Sequence, residues 1–440
     1  MLTIYGNRTS CCDGLPRRSF LKAGFLGMAG LSLPQMLRVR AEAAAAGSSL
    51  AKTSVIFIEL QGGPSQFETY DPKPEAPAEY RGPFDVVATK LPGVVFSELM
   101  QQQARVIDKL AIVRSVHHEN NGHYASRHLT QTGHIGDGTQ ENQAPSAGSI
   151  VARLRGANAR GIPAYVNVLR PEFGPFGRAA YLGNSYDPFT VGNPNNKDFQ
   201  VRNLALAEGL TMSRIEDRRS LLGVFDRARR VLDQRRVAEA MDHFTYQAFD
   251  MVTGERARAA FDVGRESPTV RDRYGRSTHG QSMLLARRLV EAGVTFVTVS
   301  LSGWDDHGRI KERMGGRGPI YDKAVAALVT DLYERGLDRD VLVISMGEFG
   351  RTPRINKRAG RDHWGALMSV MFSGGGLRVG QVIGASNRKG EEPTDAPYRP
   401  ENALAMVYRH LGIDPATTID DFAGRPRSIL DHRNLIEELI

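Results

Sequence analysis

The sequence predicts an α/β fold, a mostly parallel central sheet with helices on both faces. Three observations predict it. Short, fully apolar β-branched runs recur along the chain, helical patterns separate the later runs, and polar residues follow the runs directly. A strand buried on both faces of a parallel sheet has no polar face to show, so it reads as continuous apolar sequence rather than as alternation.

The first such run is T-S-V-I-F-I-E-L at 53 to 60, stopped by Gln61-Gly62-Gly63-Pro64. Others lie at 110 to 116, 163 to 169, 294 to 301, 340 to 346 and 367 to 373. Helical patterns occupy 279 to 292, 319 to 336 and 400 to 411, and this alternation is the signature of a sheet covered on both sides. Residues 201 to 262, rich in Arg, Leu and Ala, read as a helical insertion packed on the sheet, and 183 to 197, rich in Gly and Asn, as a surface loop.

Residues 16 to 22 read P-R-R-S-F-L-K, followed by a short apolar run and an alanine-rich stretch at 41 to 47. That order predicts a twin-arginine signal peptide over 1–46 and a single folded domain over 47–440, exported to the periplasm or beyond by the twin-arginine machinery. The apolar run is too short for a stable membrane span, which needs about 20 residues. Both cysteines, Cys11 and Cys12, precede the arginine pair. The mature chain therefore carries no thiol, and disulfides, cysteine catalysis and zinc-thiolate sites are excluded. The leader holds six basic and two acidic residues, so it accounts for half of the net charge of +8. With no long basic run and no nucleic-acid motif, the remainder reads as solvated surface and no nucleic-acid partner is expected.

In open α/β sheets, ligands bind beyond the carboxyl ends of the strands. After 294 to 301 comes S-G-W-D-D-H-G with Asp305, Asp306 and His307; after 340 to 346 comes G-E-F-G-R-T-P with Glu348 and Arg351; before 367 to 373 comes G-R-D-H-W with Arg361, Asp362 and His363. Carboxylate and imidazole donors without sulfur suit one divalent zinc, manganese or iron ion. In extended chain, side chains two apart share a face, so Asp305 and His307 are expected to converge while Asp306 points away. The same rule admits one of Asp362 and His363 as a direct ligand, and His363 is the choice; Glu348 and Asp362 complete the candidate metal set. Arg351 and Arg361 are candidates to hold an anionic oxygen. Each of these polar residues can instead cap a helix, close a turn or form a salt bridge; three such clusters at three strand ends favour the functional reading.

The segments L-Q-G-G-P-S-Q-F-E-T-Y-D-P-K-P, L-L-A-R-R-L-V-E-A-G-V, G-W-D-D-H-G, M-G-E-F-G-R-T-P and G-R-D-H-W, taken together, resemble the bacterial exported family catalogued as domain of unknown function 1501, from about Ser54 to Ile413. Its members are similar to the alkaline-phosphatase-like superfamily of sulfatases and phosphodiesterases. The resemblance implies an alkaline-phosphatase-like fold with metals at the strand ends and a small anionic ester as substrate. Residues 123 to 133 resemble the sulfatase pattern Cys-x-Pro-Ser-Arg, five residues, then Gly: Ser126, Arg127, Thr132 and Gly133 match, while the Cys position falls on His123 and the Pro on Ala125. By this resemblance His123 is the candidate nucleophile or general base, Arg127 and Arg351 join it as catalytic candidates, and Gln61, Ser126 and Arg361 are candidates for substrate binding. The superfamily's second metal position falls on Gln61, Glu348 and Phe349, of which Gln61 lacks the expected carboxylate and Phe349 the expected imidazole, so one ion is expected. The expectation is an exported metal-dependent hydrolase of phosphate or sulfate esters. The competing reading is a non-catalytic binding or assembly protein on a decayed hydrolase fold.

Overall fold

In a computed structural model describing residues 52–136, 144–170, 177–201 and 255–440, the run after Thr53 forms strand β1 (Ser54–Leu60), with every residue buried. The predicted leader, and most of the insertion predicted at 201–262, lie outside the described residues; the described end of the latter carries a helix at Glu255–Phe261. The remaining main-sheet strands are β2 (Ala111–Val116), β3 (Tyr165–Val168), β4 (Phe189–Val191), β5 (Phe296–Leu301), β6 (Val341–Gly347), β7 (Met368–Gly374) and β8 (Gln381–Ile383). They are ordered β8-β2-β7-β6-β1-β5-β3-β4. All neighbours run parallel except β7, which is antiparallel to both β2 and β6. The fold is thus α/β with a mostly parallel sheet.

Alternation along β1 shows where the layers lie. Ile56, Ile58 and Leu60 pack into one apolar cluster with helices α3 (Thr278–Ala292) and α4 (Ile310–Glu334). Val55 and Phe57 pack into the other with α2 (Ala147–Leu154) and α5 (Pro400–His410). Helix α3 begins where the Ser277 hydroxyl accepts the Gly280 N–H and ends at Gly293 with φ +111°, the two signals that stop a helix locally. Among the described residues no helix is long and apolar enough to cross a membrane.

Three differences from the sequence reading have physical causes. The stretch 183 to 197, read as a loop, contains β4, whose three residues pair with β3 and whose Val191 is buried; its Gly- and Asn-rich flanks conceal a short edge strand. Helix α4 starts nine residues before the predicted 319, because buried Ile310 and Met314 hold a first stretch that Gly315, Gly316 and Pro319 make look broken. The polar stretch at 123 to 134, to which the sequence reading assigned no helix, forms helix α1 (His123–Thr132), buried from Ser126 to Thr132. Its polar groups are buried because they are paired: the Arg127 guanidinium donates to Glu59 of β1 at 2.5 and 3.3 Å. The same carboxylate accepts from Gln61 at 2.8 Å, Ser300 at 3.0 Å and Gln131 at 3.1 Å, the satisfaction that buried charge requires.

Candidate metal centre

The carboxyl ends of β6, β1 and β5 lie side by side, and the segments leaving them pack backbone against backbone. Gly62 has φ +111°, and a Cβ there would lie 2.3 Å from the amide nitrogen of Asp305; only glycine allows this approach. Arg351, fully buried, ties the segments together by donating to the carbonyls of Gly62, Gly63, Trp304 and Arg361. It also reaches Asp305 Oδ1 at 2.7 Å.

Around Asp305 the side chains converge. Its Oδ1 lies 3.0 Å from His307 Nε2 and 3.0 Å from His363 Nε2, and those two nitrogens are 3.0 Å from each other. His123 Nε2 is 3.5 Å from Oδ2. His363 reaches this place from a two-residue ladder in which it pairs with Arg351, and His123 from the first turn of α1. Donor atoms of His123, Asp305 and His363 all lie within 4.8 Å of one another.

The far side of each ring fixes its tautomer. His307 Nδ1 lies 2.6 Å from Asp362 Oδ1, His363 Nδ1 2.7 Å from the Asn121 carbonyl, and His123 Nδ1 2.7 Å from Glu348 Oε1. Each partner can only accept, so each Nδ1 carries a proton and a neutral ring turns its Nε2 lone pair inward. Three lone pairs and a carboxylate then face one another, an arrangement that repels itself unless a proton or a metal cation lies between. Without a cation, protons fill that role. Burial lowers the His123 pKa, but the hydrogen bonds its ring donates to Asp305 and Glu348 outweigh it and push it up to about 9. Burial likewise raises the Asp305 pKa and is outweighed by His123, His363 and Arg351, which hold it well below the carboxylate range.

A divalent cation fits these donors. Bonds of about 2.1 Å place donors about 3.0 Å apart in an octahedron and about 3.4 Å apart in a tetrahedron; the spacings from Asp305 to the three rings, and between His307 and His363, run from 3.0 to 3.5 Å. The Phe349 ring stacks on His363 at 4.3 Å and approaches His123 at 5.2 Å, forming an apolar wall. Asp305 and His307 are about one-third exposed, at 35% and 32%, so the centre opens to solvent on their side.

The structure therefore brings Asp305, His307 and His363 together and adds His123. Asp306 turns away to Arg317. Two members of the candidate metal set need correction: Glu348 and Asp362 sit one bond back, each spending an oxygen on the Nδ1–H of a ring. Arg127 and Arg361 also need correction as anion holders, because both are buried and committed. Arg361 grips Glu68 at 3.0 to 3.2 Å, lies 4.1 Å over the Phe67 ring and donates to the Tyr80 carbonyl at 2.7 Å. Arg351 is likewise committed to Asp305 and carbonyls. Ser126 and Gln61, predicted to touch substrate, are buried; the Ser126 hydroxyl donates to the Asn120 carbonyl and the Gln61 amide to Glu59.

Four contributors escaped the sequence reading as part of the centre. His118 donates to the Glu348 carbonyl at 2.7 Å while its Nδ1 accepts the Asn120 N–H. Asn121 holds His363 by its carbonyl and Gly365 by its side chain. Asn356 donates to Asp362 and to the His307 carbonyl. Arg313 donates to the Asp305 carbonyl at 3.0 Å. The turn-forming E-N-N-G before His123 was the one available signal for Asn121.

A family model described as "Protein of unknown function (DUF1501)" matches residues 52–440. No curated protein matches the sequence. Among solved structures the chain is similar to a sulfatase from Pseudoalteromonas sp., with 12% identity and a TM-score of 0.38 over 87% of this chain and 72% of that one. It is similar to the alkaline phosphatase of the Antarctic bacterium TAB5, with 12% identity and a TM-score of 0.36 over 82% and 98%. A third similar structure is Ps i-CgsB in complex with k-i-k-neocarrahexaose, with 9% identity and a TM-score of 0.41 over 82% and 72%.

Proposed function

The chain belongs to the DUF1501 family, which carries no assigned reaction in its description, and from the site itself we propose that it is an exported metal-dependent hydrolase of phosphate or sulfate esters. One observation carries this reading: three imidazoles, each with Nδ1 held by an acceptor, aim Nε2 at a single carboxylate. Asp305, His307 and His363 would hold one zinc, manganese or iron ion, with His123 as a fourth donor. Such an ion supplies Lewis acidity toward an ester oxygen and acidifies water.

The chain's own residues do the positioning. Asp362, Asn121 and Glu348 keep the proton on Nδ1 of their rings, so Nε2 stays a donor. Arg351 fixes Asp305, and the Phe349 ring keeps water from one flank. The twin-arginine pattern at 16 to 22 and the alanine-rich stretch support export by that route.

The test is metal analysis of protein purified without chelator, joined to a panel of phosphate mono- and diesters and sulfate esters. Bound transition metal near one equivalent is expected, with turnover of at least one ester lost in His363→Ala and His123→Ala. A metal-free protein, or identical behaviour of all three proteins on every ester, refutes the hydrolase. The binding-protein reading has one observation in its favour: Arg127, Arg351 and Arg361 are all spent on internal partners. Bound metal with no turnover of any ester selects it.

A further inference from the structure

With those three arginines committed, the cations still facing solvent near the centre are different ones. Arg313, with a side chain 46% exposed, donates to the Asp305 carbonyl at 3.0 Å. Arg358, 70% exposed, stands 3.8 Å from Asp362 Oδ1, the oxygen that takes the His307 Nδ1–H. An exposed guanidinium therefore lies one contact beyond Asp305 and another one contact beyond the carboxylate that orients His307, on the side where the centre is open.

The two segments bearing them are pinned together. Arg309 N donates to the Arg358 carbonyl at 3.0 Å and Ile310 N to the Ala359 carbonyl at 2.8 Å. A Cβ at Gly360 would lie 2.2 Å from Gly308 N, so the contact requires glycine. The same rim exposes Arg309 and Lys357, and among the described residues neither has an acidic partner. Residues 353 to 362 carry four basic side chains and one acid. Arg313 lies 3.7 Å from Asp306 and Arg358 3.8 Å from Asp362, so each is partly offset by an acid, while Arg309 and Lys357 add positive charge that no acid offsets among the described residues, and the resulting field draws anions to the adjoining centre.

We propose that Arg313 and Arg358, with Arg309 and Lys357, form an anion-binding rim that takes a second negative group of a multiply charged ligand, a polysulfated or polyphosphorylated molecule. The proposal rests on the reading of the centre only for the place of the first anionic group. A ligand bearing a single charge cannot use both positions.

The experiment measures binding of tripolyphosphate and short-chain dextran sulfate, against inorganic phosphate and sulfate, by calorimetry at 50 and 200 mM NaCl. It compares the wild type, Arg313→Ala/Arg358→Ala, and a control of equal charge change, Lys90→Ala/Arg276→Ala. The rim variant should weaken the multiply charged probes roughly tenfold, as two partly exposed charge-assisted contacts allow. Its salt dependence should flatten by about two released counterions, with the control behaving as wild type. Whichever multiply charged probe binds tighter to the wild type identifies the class. Equal binding by rim variant and wild type, or no preference of the wild type for multiply charged probes, overturns the rim. Metal content is measured separately, so an empty centre with an intact rim effect sinks the hydrolase reading and leaves the rim standing.

Discussion

Substituting alanine for Gly62 tests whether the strand-end packing creates the centre. Its φ of +111° is open to glycine, and a Cβ would sit 2.3 Å from Asp305 N and 2.6 Å from the Trp304 carbonyl carbon. Both obstacles are backbone, so no rotamer change relieves them. Contacts below 3.0 Å are not sustained by real Cβ atoms, so Asp305 must retreat by about 0.7 Å. Metal–donor distances tolerate about 0.2 Å. Gly62 itself donates its N–H to Glu348 Oε1 at 2.8 Å, so the displacement reaches the group that orients His123. Left-handed backbone costs about 1–2 kcal/mol in a non-glycine residue, and the clash should bring the total to about 3 kcal/mol. Gly336→Ala is the matched control, because φ is +67° and nothing lies within 4 Å of its Cβ. Urea unfolding should show about 1 kcal/mol for the control and about three times that for Gly62→Ala. Titration of zinc or manganese into chelator-stripped protein should show at least a tenfold loss of affinity for Gly62→Ala alone. If Gly62→Ala binds metal as the wild type does, or costs no more than Gly336→Ala, the backbone approach does not set the position of Asp305.

Three further outcomes follow from particular contacts. Asp362→Ala removes the acceptor on His307 Nδ1 and should weaken metal binding 10- to 100-fold, read by the same titration, with the urea midpoint nearly unchanged because Asp362 is exposed on its outer side. Arg127→Met leaves Glu59 buried and uncompensated and should cost about 3–5 kcal/mol in urea unfolding, while adding Glu59→Gln should recover a large part of it; a double variant no more stable than the single one contradicts this. Burial, and then the charge of Arg317, push the His279 pKa down to about 4. An unfolded histidine titrates near 6.5, so the native state binds fewer protons between those values. The stability this contributes is complete above about pH 6.5 and is lost as pH falls toward 4, up to about 3 kcal/mol. Unfolding free energies at pH 6.5 and 4.5 should converge in His279→Leu; an unchanged slope rejects the assignment.

The six long apolar runs were legible because a strand covered on both faces leaves one signature, and V-I-F-I-E-L carries it. Strand direction was not legible for the same reason: β7, buried on both sides, reads like its parallel neighbours although it runs against them. The convergence at Asp305 was readable from the position of D-D-H and D-H after and before strands. The destination of each arginine was not, since a long side chain reaches inward to Glu59 or Glu68 as easily as outward to a ligand, and the acid that decides is more than 60 residues away in sequence. Helix α1 was hidden because its buried face is polar, so a hydrophobic periodicity never forms.

The role of His123 turns on where its ring is held. A nucleophilic imidazole needs a lone pair pointed at the ligand, with the opposite nitrogen steadied by an acceptor. Glu348 supplies the steadying contact, and Glu348 is itself held by the Gly62 N–H and, at its backbone carbonyl, by His118. The ring so fixed points Nε2 at Asp305 Oδ2, 3.5 Å away, and packs edge-on to His363 at 4.4 Å between ring centres. That direction lies into the donor cluster rather than away from it. A cation there and an attack by Nε2 compete for the same lone pair, so one histidine cannot serve both at once. The geometry favours the donor: Nε2 of His123 faces Asp305 beside the His363 ring, and the Phe349 ring fills the flank beside His363. On this reasoning the donors would serve one ion, and a reacting group would have to arrive with the ligand or with water from the open side by Asp305 and His307.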